Sequence, residues 1–155
     1  MAVDLSNIGI LVRREIEARI VAPLVKEFIK EVGEEKATAI VKSTIVDLAR
    51  ESGRDLAKWI DGNGLEEFEK GLELWTRDNA LEIETLDRSE TRFSFNVTRC
   101  RYAEMYKEIG IPELGKVMSC ARDYAMIEGF NPAIKLTRTQ TIMEGADYCD
   151  FRYTY

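Results

Sequence analysis

A chain of 155 residues, 45% apolar and 32% charged, has the length for one core and the composition of an ordinary globular protein. Its net charge of −6 and lack of any long basic run argue against a nucleic-acid partner, because phosphate binding needs clustered Lys and Arg. There is no histidine, which excludes Ser-His-Asp triads, Cys-His dyads and every His-ligated metal site.

The start, MAVDLSNIGILVRREIE, lacks the basic-then-apolar plan of a signal peptide, and no apolar run is long enough to span a bilayer. No membrane partner is therefore expected. Three cysteines, an odd number with no CxxC pair, suit a reducing cytoplasm.

Ile16, Ile20, Leu24 and Phe28 recur every four residues and predict a helix with that stripe in the core. Pro23 inside it predicts a kink or break near Val21–Ala22, and Gly33 a stop. A second helix is expected from Glu34 to Arg50, with Ala37, Ile40, Val41, Ile45 and Leu48 inward. Gly53 and Asp61-Gly62-Asn63-Gly64 then punctuate a shorter piece holding Leu56, Trp59 and Ile60. A third helix carries Leu65, Phe68, Leu72 and Trp75 on one face. These stripes read as core, since helices gain most of their stability by burying such a face.

The period then changes. Leu81–Leu86 is β-compatible, Asp87-Arg88-Ser89-Glu90 reads as a turn, and Arg92–Cys100 alternates. Phe93, Phe95 and Val97 fall to one side, and Ser94, Asn96, Thr98 and Cys100 to the other. Arg101–Ile109 is helical, and Pro112 begins a further helix that Gly129 and Asn131-Pro132 end. Ile134–Met143 and Tyr148–Tyr155 form a second hairpin. The expected class is α+β: N-terminal helices, then two hairpins in one antiparallel sheet with a helical insertion between them. Residues 1–155 read as a single domain, mainly helical over 1–79 and α+β over 80–155.

All three cysteines, Cys100, Cys120 and Cys149, lie in the last third, beside dense charge. Without histidine, acid–base chemistry falls to carboxylates, Cys, Lys or Tyr, and a thiolate is the natural nucleophile. Cys120 and Asp123 share a helical face, so thiol and carboxylate could act together; spacing alone favours the plainer reading of a small core residue and a surface charge paired with Arg122 or Lys116. A carboxylate alone raises a thiol's pKa, so activation would need a cation as well. Arg138, between apolar residues on the face Leu136, Arg138, Gln140, Ile142, could be that cation. A residue buried there needs a partner: an anionic ligand, or Asp123 or Glu144. The cysteines are too widely spaced for a known metal-ligand pattern, and a Cys₃ site would need a fourth ligand, so no metal is expected. No glycine-rich phosphate loop is present.

The segment Arg99–Tyr155 resembles the L-2-amino-thiazoline-4-carboxylic acid hydrolase family. The resemblance rests on Arg99-Cys100, on SCARD holding Cys120 and Asp123, and on LTRTQTIMEGADYCDFRY from Leu136 to Tyr153; the helical first part is similar in general plan. It implies hydrolytic opening of a small cyclic amidine without a cofactor. Cys120 would be the nucleophile, Asp123 the carboxylate that protonates or orients the amidine, and Glu104 a second acid–base group. Arg138 would hold a substrate carboxylate, and Cys100, Cys149 and Asn96 would line the pocket, the two cysteines also being alternative nucleophiles. Attack by water activated by Asp123 or Glu104 is the other route. The expected partner is a small molecule, and the helical half with its two tryptophans could supply a homo-oligomer interface. The ending GADYCDF also looks like 4-vinyl-reductase-type small-molecule-binding domains, which implies the alternative of a non-catalytic binding or sensor domain.

Overall fold

The computed structural model describes residues 8–155; the reading of the first seven residues as no part of a signal peptide lies outside that range. Helix α1 (Ile10–Val32) stops where expected, at Gly33, whose φ of 83° is open to glycine, and α2 (Glu34–Ile60) follows at once. Helix α1 runs straight through Pro23 instead of breaking there. Pro23 is exposed, and the opposite side of the helix is held by the burial of Leu11, Ala18, Ala22 and Val25, which outweighs one lost backbone hydrogen bond.

That burial reverses the expected face. Ile16, Ile20, Leu24 and Phe28 are exposed, Ile20 by 60% and Phe28 by 54%. The small residues face inward because closely packed helices need them. The stripe from Val12 to Val32 stays on the surface. On α2, Ala37, Ile45 and Ala49 are buried, whereas Ile40 and Leu48 point outward, and so does Trp59.

Gly53 lies inside α2 instead of punctuating it, whereas α7 (Arg122–Phe130) ends as expected, one residue past Gly129 with Asn131 as its C-cap. The two glycines are where these helices cross. A β-carbon on Gly53 would stand 2.0 Å from the Met126 carbonyl oxygen, and one on Gly129 would stand 2.0 Å from that of Arg50. The third helix is broken at Leu72 into α3 (Leu65–Gly71) and α4 (Glu73–Thr76).

The class is α+β, as expected. Strands β1 (Leu81–Arg88), β2 (Arg92–Cys100), β3 (Lys135–Thr137) and β4 (Cys149–Thr154) form one antiparallel sheet in the order β1-β2-β4-β3. Helices α5 (Arg101–Glu108), α6 (Pro112–Gly115) and α7 lie between the hairpins. The strand expected to reach Ile142 ends at Thr137. Beyond it, the Asp150 carboxylate accepts from the backbone N–H of Thr139 at 2.9 Å and of Gln140 at 2.8 Å, replacing the ladder.

The inner face of the sheet, with Phe93, Phe95, Val97, Cys149 and Tyr153, packs on α7, with Leu56 of α2 and Phe68 of α3. Burying each large side chain contributes about 1.5–3 kcal/mol. A second cluster joins Leu11, Ala18 and Ala22 of α1 to Tyr102, Met105 and Tyr106 of α5. Trp75, Leu81 and Cys100 touch both clusters. No helix among the described residues is long and apolar enough to cross a membrane.

Candidate functional site

The two clusters do not close completely on each other. Between them lies a small cavity of about 70 Å³, space for several waters or a small ring. All three cysteines line it, together with Asp123 and Arg138. Each arrives by a different local device.

Cys149 comes from the inner face of β4, opposite Val97, and its Sγ accepts from the Ile142 N–H at 3.2 Å. Cys100 was expected on the polar face of β2. The register slips between Glu82 and Ile83, which pair with Arg99 and Val97, so Thr98 is an extra residue on β2. That bulge turns Cys100 to the same side as Val97. Cys120 ends a π-helical turn, Lys116–Cys120, that joins α6 to α7, a feature frequent at functional sites. Asp123 follows in the first turn of α7.

Arg138 settles its partner within the chain. Its Nη1 donates to Asp123 and its Nη2 to the Cys120 carbonyl oxygen at 3.1 Å. The guanidinium lies between the rings of Tyr124 and Phe151, 5.3 and 5.1 Å from their centres. The side chain is only 8% exposed. Burial pushes the Asp123 carboxyl up against the pull of Arg138; at Arg138 burial pulls the guanidinium down, but Asp123, Cys120 and Tyr124 together outweigh it and keep it charged. Cys120 and Arg138 also line an open groove of about 440 Å³ with Lys42, Arg50 and Lys116, so they stand between groove and cavity. A larger cleft of about 530 Å³, beside Glu69 and Arg88, carries no cysteine.

The electrostatics do not favour a thiolate. Burial pushes the Cys100 thiol up to about 11, raises Cys149, and raises Cys120 furthest, with Asp123 adding to the effect there and Arg138 only partly offsetting it. At pH 7.5 a thiol at about 11 holds about a hundredfold less thiolate than an ordinary one. Labelling of Cys100 and Cys120 by iodoacetamide in the folded protein is therefore expected to be at least about a hundredfold slower than in the unfolded chain, and that of Cys149 slower too, all accelerating above pH 10. Rapid labelling of one cysteine at neutral pH would contradict this.

Two of the sequence-derived candidates are not brought to the cavity. Glu104 is exposed on α5, where the Arg99 guanidinium donates to it at 2.8 and 3.2 Å and holds its carboxyl below the usual range. Asn96 lies on the opposite face of β2 and accepts from Arg152 at 2.8 Å. Among the described residues no three Cys, Asp or Glu side chains stand where they could hold a metal ion.

The sequence reading missed Arg14 and Arg122, which also line the cavity. A signal was present: Leu11, Arg14, Ala18, Ala22 and Val25 share one face of α1, and a charge within that stripe is out of place unless it has a use. The larger residues on the other face drew attention away from it.

Among solved structures, the fold is shared with the phenol-responsive sensory domain of the transcription activator PoxR with phenol, at a TM-score of 0.56 and 12% identity over 87% of this chain and 72% of that one. A trafficking protein particle complex subunit 3 from Naegleria fowleri, covalently bound to palmitic acid, matches with a TM-score of 0.56 and 11% identity over 92% of this chain and 95% of that one. Identities this low speak for the fold alone. No curated protein matches the chain. The family described as L-2-amino-thiazoline-4-carboxylic acid hydrolase matches residues 13–153, nearly the whole length, and the chain belongs to that family.

Proposed function

We propose that this protein is a hydrolase that opens a small cyclic amidine, a 2-amino-thiazoline-4-carboxylate-like ring or a related C–N bond, within the cavity. The observation that carries the proposal is the meeting of Asp123, Arg138 and all three thiols at one small cavity. The family supports the reaction class.

Water, not Cys120, is the nucleophile in this reading, because every thiol is pushed away from ionisation. The water oxygen bonds to the carbon of the protonated amidine as the C=N π pair moves onto nitrogen and one water proton passes to Asp123. The tetrahedral adduct then expels the ring atom, which takes that proton from Asp123, and the adduct's hydroxyl gives its own proton back to Asp123 as the carbonyl forms. Arg138 holds Asp123 in position. Burial keeps that carboxylate more basic than an exposed one, which suits proton uptake.

The test is turnover of L-2-amino-thiazoline-4-carboxylate by the purified protein, read by mass spectrometry as the gain of one water. Cys120→Ser is expected to retain turnover within about threefold, and loss of turnover in the folded variant would return the nucleophile's role to the thiol. A second reading, ligand binding without turnover, is supported by the tie between Asp123 and Arg138, which occupies the base. It predicts saturable binding of the ring with no gain of mass.

A further inference from the structure

Arg14 of α1 and Arg122 of α7 line the cavity and are only 14% and 13% exposed. Both lean on one carboxylate. Arg14 Nη1 donates to the two oxygens of Glu17 at 2.9 and 2.7 Å, and Arg122 Nη2 reaches Oε2 of the same residue at 3.4 Å. Arg122 Nε donates to the Met118 carbonyl oxygen at 2.7 Å. Around the cavity, among the described residues, the three guanidiniums of Arg14, Arg122 and Arg138 thus meet two carboxylates, Glu17 and Asp123. Burying a cation without its counter-charge is costly. Burial, reinforced by repulsion from Arg14, pushes the Arg122 guanidinium down to about 10.

Tyr106, whose buried hydroxyl has no hydrogen-bond partner among the described residues, does not reach the cavity wall.

We infer that Arg14 and Arg122 form an anion subsite that takes the carboxylate of a small ring acid bound in this cavity. The inference rests on the cavity being the ligand site, as proposed above. A guanidinium fork matches a carboxylate geometrically, and two forks can share one carboxylate. The carboxylate supplies the missing negative charge and replaces the long Arg122–Glu17 contact. Arg138 is already committed to Asp123, so the two arginine sites divide the work: Asp123–Arg138 faces the reacting carbon, and Arg14–Arg122 the acid end.

Calorimetric titration with thiazole-4-carboxylate and with thiazole, the same unreactive ring without the acid, tests this. The acid is expected to bind at least tenfold more tightly than the bare ring. Arg122→Gln is expected to erase that advantage while leaving thiazole within threefold of its native affinity. Arg14→Gln is expected to weaken the acid threefold or more and leave thiazole within threefold of its native affinity. Equal affinity of the two ligands for the native protein overturns the subsite, as does an acid advantage that survives intact in the folded Arg14→Gln and Arg122→Gln variants. The reading of the cavity as the ligand site fails separately if Val97→Trp, which fills the cavity, leaves both affinities unchanged.

Discussion

Gly53→Ala is expected to destabilise the protein by about 3–5 kcal/mol, a large part of the 5–15 kcal/mol typical of a folded domain. The added methyl would stand 2.0 Å from the Met126 carbonyl oxygen and 2.7 Å from the Phe130 nitrogen, and neither is a side chain that can swing away. Helices α2 and α7 would have to separate. Gly129→Ala acts at the same crossing from the other side, against the Arg50 carbonyl oxygen at 2.0 Å. One separation relieves both clashes, so the double variant is expected to cost clearly less than the sum of the two. Ser52→Ala, on the exposed side of α2, is the control and should fall within about 0.5 kcal/mol of native. Urea denaturation of the four variants measures this. Native-like stability of Gly53→Ala would mean that the helices do not cross as described.

Asp123→Asn is expected to reduce turnover by at least about a hundredfold and to cost about 3–5 kcal/mol, because it leaves Arg138 buried without its carboxylate. Stability and chemistry separate in the double variant Asp123→Asn/Arg138→Met, which removes the orphaned charge. It should regain most of the lost stability and none of the turnover. In the native protein Asp123 must be ionised to accept a proton, so kcat/KM falls as pH drops through its pKa. Burial raises that pKa, so the acid limb should lie above the ordinary value near 3.8. A folded Asp123→Asn variant with native turnover would remove Asp123 from the reaction.

The thiazoline-acid family and the α+β class were legible in the sequence because both rest on local patterns. SCARD and the alternation Phe93, Phe95, Val97 keep their meaning wherever the chain goes. Helix faces were less legible. Ile16, Ile20, Leu24 and Phe28 make the greasier stripe of α1, yet Ala18 and Ala22 are the residues that allow close approach, and hydrophobicity alone does not report size. Gly53 misled in the same way: it looks like a stop along the chain, but it is a contact point between two helices that meet only in space.

The sequence by itself determined the element types, the antiparallel hairpins, the absence of histidine chemistry and the concentration of cysteines with Asp123 and Arg138 in the last third. The tertiary structure alone decided which of those residues meet. A one-residue bulge at Thr98 turned Cys100 inward, the π-helical turn set Cys120 beside the cavity, and the packing of α1 brought Arg14 to Arg122 across more than a hundred residues of chain. Register slips, helix crossings and the sharing of charge among buried groups are non-local: their energies depend on partners distant in sequence, so no local pattern encodes them.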